Sequence, residues 1–243
     1  MTAELTGRTA LVTGASGGIG GGLARALAAA GCDVAVHYRG NTEAAEQTAD
    51  AVRASGRQAC TVQADLSDTD ATAGLLEQVV QQLGPVDVLV PNAGVAGRVQ
   101  SLEEVDTAMW QRTLAVNLTS PFVLASRVLP SMAERGFGRV LFVSSVAAFT
   151  GGIIGPHYAA SKSGLHGMVY WMANRYAASG VTVNAIAPAL VVTGMIAEDQ
   201  DTSAIPVGRL GTVEEVVQMA LVMLTNAYLT GKVYLLDGGL RTQ

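Results

Sequence analysis

The chain alternates short, apolar, β-branched runs with longer alanine-rich segments of helical period, and this rhythm restricts the fold more than any single motif. TALVTG leads into GLARALAAAG, DVAVHY into NTEAAEQTADAVRASG, and QACTVQAD into DATAGLLEQVVQQLG. VDVLVPNAG precedes AMWQRTLAVNLTSPFVLASRVLPSMAERG, and RVLFVSS precedes a segment containing HYAASKSG. VTVNAIAP is followed by a loop and VEEVVQMALVMLT, and KVYLLDGG closes the series. Strands that alternate with helices are joined by right-handed crossovers, which predicts a doubly wound α/β fold whose parallel sheet carries helices on both faces. No repeat, low-complexity linker or shift of composition divides the 243 residues, so a single domain over 1–243 is expected.

Charge narrows the partners. The formal charge is −5 with only 14% charged residues, so no basic footprint marks a nucleic acid or anionic lipid, and a small molecule is the expected partner. Two uncharged stretches, 140–161 and 176–197, reach the length of a membrane span, but Gly, Pro, Asn, Thr and Ser interrupt both. Their apolar cores, VLFV and VTVNAIA, suit strands buried on both faces, and no membrane association is expected. Two cysteines, Cys32 and Cys60, in a chain of this length point to a reducing compartment with no disulfide framework. MTAELTGR lacks the basic start of a secretory signal, and the cytoplasm is the expected location. None of the three histidines has a partner at metal-ligand spacing, so no metal is expected.

Two segments carry chemistry. The first strand runs into TGASGGIGGGLARALAAAG, with Gly14, Gly18 and Gly20 in the strand-to-helix turn and Ile19 opening the helix. Such a turn lets a dinucleotide's diphosphate approach the backbone and rest on the helix N-terminus, although a tight packing turn would use the same glycines. An acid at the end of the second strand selects the unphosphorylated dinucleotide by binding its ribose hydroxyls. HYRGN instead places Tyr38 there and Arg39 next to it, with Ser16 and Asn41 as further donors, and so selects NADP(H) unless Arg39 is only a solvated loop charge.

The second segment sets Tyr158 and Lys162 four residues apart, one turn along a helix face. Lowering a tyrosine pKa by about three units takes about 4 kcal/mol. One unit charge at ~4 Å supplies about that much in an effective dielectric of about 20. An acid–base pair is therefore within reach, although the same spacing occurs on ordinary amphipathic surfaces.

Taken together, TGxxxGxG at Thr13 to Gly20, QADLSD around Asp65, PNAG at 91–94, LAVNL around Asn117, VSS ending at Ser145, YAASK at 158–162 and NAIAPxLVxT ending at Thr193 closely resemble the short-chain dehydrogenase/reductases, with their Rossmann-type fold. IPVGRLGTVEEV and YLTGKVYLLDGG resemble the ending of the ketoreductase branch that includes 3-oxoacyl-[acyl-carrier-protein] reductases. The resemblance implies Tyr158 as proton donor, Lys162 as the group that lowers its pKa and holds the nicotinamide ribose, and Ser145 as hydrogen-bond partner of the carbonyl. It implies that Asn117 holds a water linked to Lys162, with a helix-interior amide as the plain alternative. Asp65 and Leu66 would meet the adenine, and Asn92, Ala93 and Gly94 would line the cofactor. The backbone after Pro188, with Val191 and Thr193, would face the carboxamide. Ser144 is the alternative to Ser145, and spacing from Tyr158 favours Ser145. The family habit is a homotetramer.

The chain also departs from the family pattern. Ala189 follows Pro188 where glycine is usual, and Pro91 replaces an asparagine and removes a backbone donor. Asn174, Arg175 and Ser179 replace an Arg-Glu pair and a basic residue that helps dock acidic carrier proteins. Tyr170 and Trp171 fit an interface or aromatic core packing equally. A short loop after Thr193 and the apolar Phe149, Ile153, Leu190, Met195 and Ile196 are expected to line a pocket for a neutral or partly apolar ketone. Arg98, shortly after PNAG, is a nearby cation able to meet a carboxylate or phosphate, and its plainer reading is a solvated surface arginine. The expected activity is NADPH-dependent reduction of a ketone to a secondary alcohol. Oxidation of an alcohol or sugar is the nearest alternative, and a non-catalytic dinucleotide-binding regulator the more distant one.

Overall fold

The computed structural model describes residues 5–193 and 201–241. Its strands are β1 (Thr9–Val12), β2 (Asp33–Tyr38), β3 (Ala59–Gln63), β4 (Val88–Val90), β5 (Gly138–Val143), β6 (Val181–Pro188) and β7 (Val233–Leu236). They form one sheet in the order β3-β2-β1-β4-β5-β6-β7, with every neighbouring pair parallel. The helices are α1 (Gly18–Ala29), α2 (Thr42–Ala54), α3 (Thr69–Leu83), α4 (Thr107–Leu114), α5 (Ser120–Glu134), α6 (Ala147–Thr150), α7 (Pro156–Tyr176) and α8 (Val213–Thr225). Among the described residues, no helix is long and apolar enough to cross a membrane.

Both faces of the sheet are covered, which is why β5 and β6 are buried along their whole length and lack a polar alternation. On one face Leu11, Phe142 and Val183 pack with Leu75 of α3, Leu124 of α5 and Leu165 of α7. On the other, Val12, Val36 and Leu141 pack with Leu23 of α1, Val52 of α2 and Val216 of α8. Cys32 and Cys60 are free and buried in these two cores, and burial pushes their thiols up to about 12 and about 11. They act as small hydrophobes.

The chain runs outward through β1, β2 and β3, then returns to lay β4 on the other side of β1. At that reversal the connections leave in opposite directions and a crevice opens at the carboxyl edge of the sheet. Helix ends around it are treated differently. Asn41 caps α2, Asp68 caps α3, and Thr212 with Glu215 forms a capping box on α8. The N-terminus of α1 begins at Gly17 with no side-chain cap and no acid in its first turn, which leaves its amide N–H groups for another partner.

The segment that has one helical period from Ala108 to Gly136 is split in the structure. A π-helical turn, Ala115–Thr119, separates α4 from α5 and carries Asn117 inward. Gly20 marks the closest approach of α1 to the sheet, where a Cβ would overlap the Gly14 carbonyl and the Asn92 side-chain amide. In α3 a Cβ at Gly74 would meet nothing within 4 Å. We therefore expect Gly20→Ala to lose at least ~1–3 kcal/mol of stability and Gly74→Ala to gain up to ~1 kcal/mol. Thermal unfolding of the two variants checks this, and a G20A protein that melts with the wild type would contradict the close approach.

Candidate active site

The crevice is a cleft of about 1250 Å³. Its floor is set by Thr13, whose buried hydroxyl oxygen accepts the N–H groups of Asn92 and Ala93, each at 2.9 Å. The Asn92 amide donates back to Thr13 O at 2.9 Å and to Gly14 O at 3.2 Å. His37 completes the arrangement. Its Nδ1 accepts the Gly14 N–H at 3.1 Å, so Nε2 carries the proton and donates to Ala64 O at 3.1 Å. Burial lowers the pKa of this imidazole, so it stays neutral and keeps that tautomer.

The glycine turn fits a dinucleotide diphosphate. Gly14 and Gly18 have φ values of 64° and 53°, and a Cβ at Gly14 would sit 2.9 Å from Ala93 Cα. Of the residues expected to bind a cofactor, Gly14, Ser16, Gly18, Ile19, Arg39, Asn41, Asp65, Leu66, Asn92, Ala93, Gly94, Tyr158, Lys162, Pro188, Val191 and Thr193 line the cleft.

Two expected residues do not line it. Tyr38 is corrected, because strand alternation turns it into the core beneath α1 and α2 while His37 and Arg39 line the cleft. Gly20 is also corrected: it faces the sheet and serves helix packing. At the nucleotide end, Asp65 accepts from Ser67 N at 2.9 Å and Ser67 Oγ at 2.7 Å, which holds its carboxyl below the usual range. It also lies 3.5 Å from Arg112. Asn41 gives its carbonyl oxygen to the α2 cap and keeps its amide donors.

At the other end α7 starts with Gly155 as N-cap and Pro156 as its first residue, and presents Tyr158 and Lys162 on one face. Lys162 is buried, donates to Val143 O at 2.8 Å, and has its Nζ 5.7 Å from the Tyr158 ring centroid. Burial alone pushes its pKa down to about 8. The Tyr158 hydroxyl is held above its ordinary value by burial, and a hydrogen bond from Ser145 opposes the rise. The net shift of the phenol is therefore upward, opposite in direction to the lowering expected of the lysine. Desolvation dominates both groups and keeps the phenol protonated beside an ammonium at neutral pH.

Ser145 and Ser144 are separated by their partners. Ser144 Oγ donates to Lys162 O at 3.2 Å and pairs with His166 Nε2 at 2.9 Å, which commits it to α7. Ser145 accepts from Ala147 N at 3.2 Å and meets Tyr158. Asn117 lies behind the cleft. Its amide accepts from Val95 N and donates to Val95 O, both at 2.9 Å, and donates to Ser161 Oγ at 3.1 Å. It is a positioning residue that clamps the chain after β4 to α7.

Ile153 and Leu190 line the substrate end as expected, joined by Ile154, Thr150, Ala204, Ile205 and Leu240. Phe149 does not: it stacks between His166, at 4.8 Å, and the Arg241 guanidinium, at 5.4 Å. Met195 and Ile196 lie outside the described residues. Arg98 is exposed and lines the cleft. Ala189 also lines it, its N–H on Leu236 O at 3.0 Å, and the Pro91 carbonyl accepts Val143 N at 3.1 Å. Among the described residues, no group of three or more His, Cys, Asp or Glu could hold a metal ion.

Comparison with known proteins agrees with this geometry. The family model described as short chain dehydrogenase matches residues 8–204. A 3-oxoacyl-[acyl-carrier-protein] reductase of Synechocystis sp. is 36% identical over 99% of both chains. A cis-4-hydroxycyclohexanecarboxylate dehydrogenase of Sinomonas cyclohexanicum is 36% identical over 96% of both. The structure of a blue fluorescent protein from a metagenomic library, solved with NADPH, superposes with a TM-score of 0.91 at 35% identity, covering 98% of this chain and all of that one.

The depressed lysine has a measurable consequence. Its folded pKa, about 8, lies below the unfolded value, so the protein binds fewer protons folded than unfolded between the two, and stability rises with pH across that window. Lys162→Met removes this dependence. We expect the variant to gain melting temperature relative to wild type at pH 6.5, and the gap to narrow as pH rises from about 8 toward 10.5, being clearly smaller at pH 9.5. A gap independent of pH would contradict the depressed pKa.

Proposed function

The chain belongs to the short chain dehydrogenase family, and on that premise we propose that it reduces a ketone to a secondary alcohol with NADPH, as one domain spanning 1–243. The observation that carries the proposal is a protonated Tyr158, hydrogen-bonded to Ser145 and backed by the buried Lys162, at the end of a glycine-cradled cleft.

Bound NADPH would supply the hydride. The turn at Gly14 to Gly18 and the open N-terminus of α1 would hold its diphosphate, Asp65 and Leu66 its adenine, and Asn92 to Gly94 its middle. Tyr158 and Lys162 would hold the nicotinamide ribose, and the chain at Pro188, Val191 and Thr193 its carboxamide. Ser145 and Tyr158 donate hydrogen bonds to the ketone oxygen. As that oxygen gains charge its basicity climbs far above that of a phenolate, so the Tyr158 proton moves to it downhill. The Lys162 ammonium stabilises the phenolate left behind. Asn117, its side chain committed to Val95 and Ser161, would serve a proton path to Lys162 through its main chain.

Arg39 on the cleft wall and the absence of an acid at the end of β2 support NADPH over NADH, as does the NADPH in the solved relative. The oxidative direction passes through the same residues, and the Sinomonas relative is named for it. It needs the phenolate, which the raised phenol pKa makes scarce at neutral pH. The exposed Trp110 of α4, Phe122 of α5, and Tyr170 and Trp171 of α7 support a homotetramer. Buried free thiols support a cytoplasmic setting.

Four measurements check the proposal. Tyr158→Phe should keep NADPH binding, read by nucleotide fluorescence, and lose about 10²–10⁴-fold in turnover. If no ketone or alcohol is turned over faster by wild type than by this variant, the regulator reading takes its place. Arg39→Asp should lower the NADPH-to-NADH ratio of kcat/KM at least about tenfold, the equivalent of ~1.4 kcal/mol. Reduction should fall above about pH 8 as Lys162 loses its proton, while oxidation rises with pH. Sedimentation that finds only monomers would remove the tetramer.

A further inference from the structure

We infer that the ketone this enzyme reduces carries a carboxylate, and that Arg98 is the group that receives it. The inference rests on the reductase reading above and concerns the substrate end of the same cleft.

The backbone around Arg98 is held on both sides. His157, fully buried, hydrogen-bonds through Nε2 to Ala96 O at 2.8 Å, and Val99 N donates to Ile154 O at 2.9 Å. Gly97 makes the turn between these anchors with φ 64°. The segment carrying Arg98 is thus stitched to the start of α7, the piece of chain that presents Tyr158. The backbone that carries Arg98 therefore keeps a fixed relation to Tyr158, so the guanidinium reaches into the cleft from a constant origin.

Its place on the cleft wall and its lack of a carboxylate partner together separate Arg98 from the arginines that the fold pairs. Arg53, Arg57, Arg112, Arg135 and Arg209 each pair with a carboxylate. Among the described residues, Arg98 has no carboxylate within ion-pair distance, yet it lines the cleft. Of the other two cations on the cleft wall, Arg39 lies at the nucleotide end near Asp65, and Lys162 is tied to Val143 O. Asp201 is the one acid among the described residues lining the substrate end, and its carboxylate accepts Ser203 N at 2.9 Å. A single guanidinium fork matches one carboxylate. A phosphate near −2 would call for a second cation, and the second charge at this end is negative.

The test compares keto acids with their own methyl esters, which keep shape and remove charge. Acetoacetate, 4-oxopentanoate and 4-oxocyclohexanecarboxylate bracket the spacing between carbonyl and carboxylate. With NADPH at low ionic strength, we expect at least one acid to exceed its ester tenfold or more in kcat/KM, an advantage that shrinks as KCl is added. Arg98→Gln should bring the acid-to-ester ratio to about one, and Arg98→Lys should keep part of it. A general loss of folding would lower acid and ester together and leave the ratio unchanged. Esters reduced as well as acids in every pair would overturn the inference and leave the reductase reading standing. A preference that survives Arg98→Gln would overturn the role of Arg98. Failure to reduce any ketone, charged or neutral, would instead remove the reductase reading and this inference with it.

Discussion

The hydroxyl of Thr13 joins the two halves of the sheet at the point where the chain reverses direction. It stands at the end of β1 and accepts two N–H groups from the segment after β4, while Asn92 returns its amide to Thr13 and Gly14. A strand end in a parallel sheet has no next strand residue to satisfy its backbone groups, and two adjacent connections that diverge would leave several of them unpaired. Thr13 and Asn92 resolve this with side chains, so the crevice is held open by hydrogen bonds and not by a gap in packing. The glycine turn is fixed as a result, because Gly14 is held by Asn92 through its carbonyl and by His37 through its N–H.

The end of the cleft that holds Tyr158 and Lys162 is organised by desolvation. Burial drives both Tyr158 and Lys162 toward their uncharged forms. For the phenol this is the state a proton donor needs. For the lysine it is a cost, because an ammonium in a dry setting is stable only if its field is used. A carboxylate partner would restore its ordinary pKa and cancel that field. The backbone oxygen of Val143 stabilises the ammonium without neutralising it. The site thus stores an unbalanced positive charge where the proposed reduction would develop negative charge, at some expense of stability.

Periodicity alone was enough to read the sheet and its two helical layers, because buried parallel strands and amphipathic helices differ in run length and composition. Most of the residues that line the cleft are also legible in the sequence, since they cluster in short segments at strand ends. The differences have separate causes, the first being that sequence position does not give side-chain direction at a strand end. Tyr38 and His37 are adjacent, and the pleat alone decides that the histidine faces the cleft. Phe149 was counted as a pocket wall for its apolar character, but its stacking partners, His166 and Arg241, come from distant parts of the chain. Asn117 sits in a stretch of unbroken helical period, and a π turn is a backbone event with no periodic signature. The status of Arg98 depended on two hydrogen bonds between loops some sixty residues apart, which no local pattern encodes.

The two ends of β5 make the division between structure and function explicit. At its start Arg139 is as buried as Lys162 is at its far end, and neither cation pairs with a carboxylate. Arg139 donates to the carbonyls of Leu224, Gly138 and Gly180 and lies over the Phe137 ring. The first of these carbonyls belongs to the negative C-terminal end of α8, so the charge is absorbed by the fold. Lys162 spends one donor on Val143 and, among the described residues, keeps two of its three without a protein acceptor beside the cleft. A chain selected only for stability would satisfy both cations in the same way. The one left incomplete stands at the carboxyl edge of the sheet, beside Tyr158, where a bound ligand can complete it.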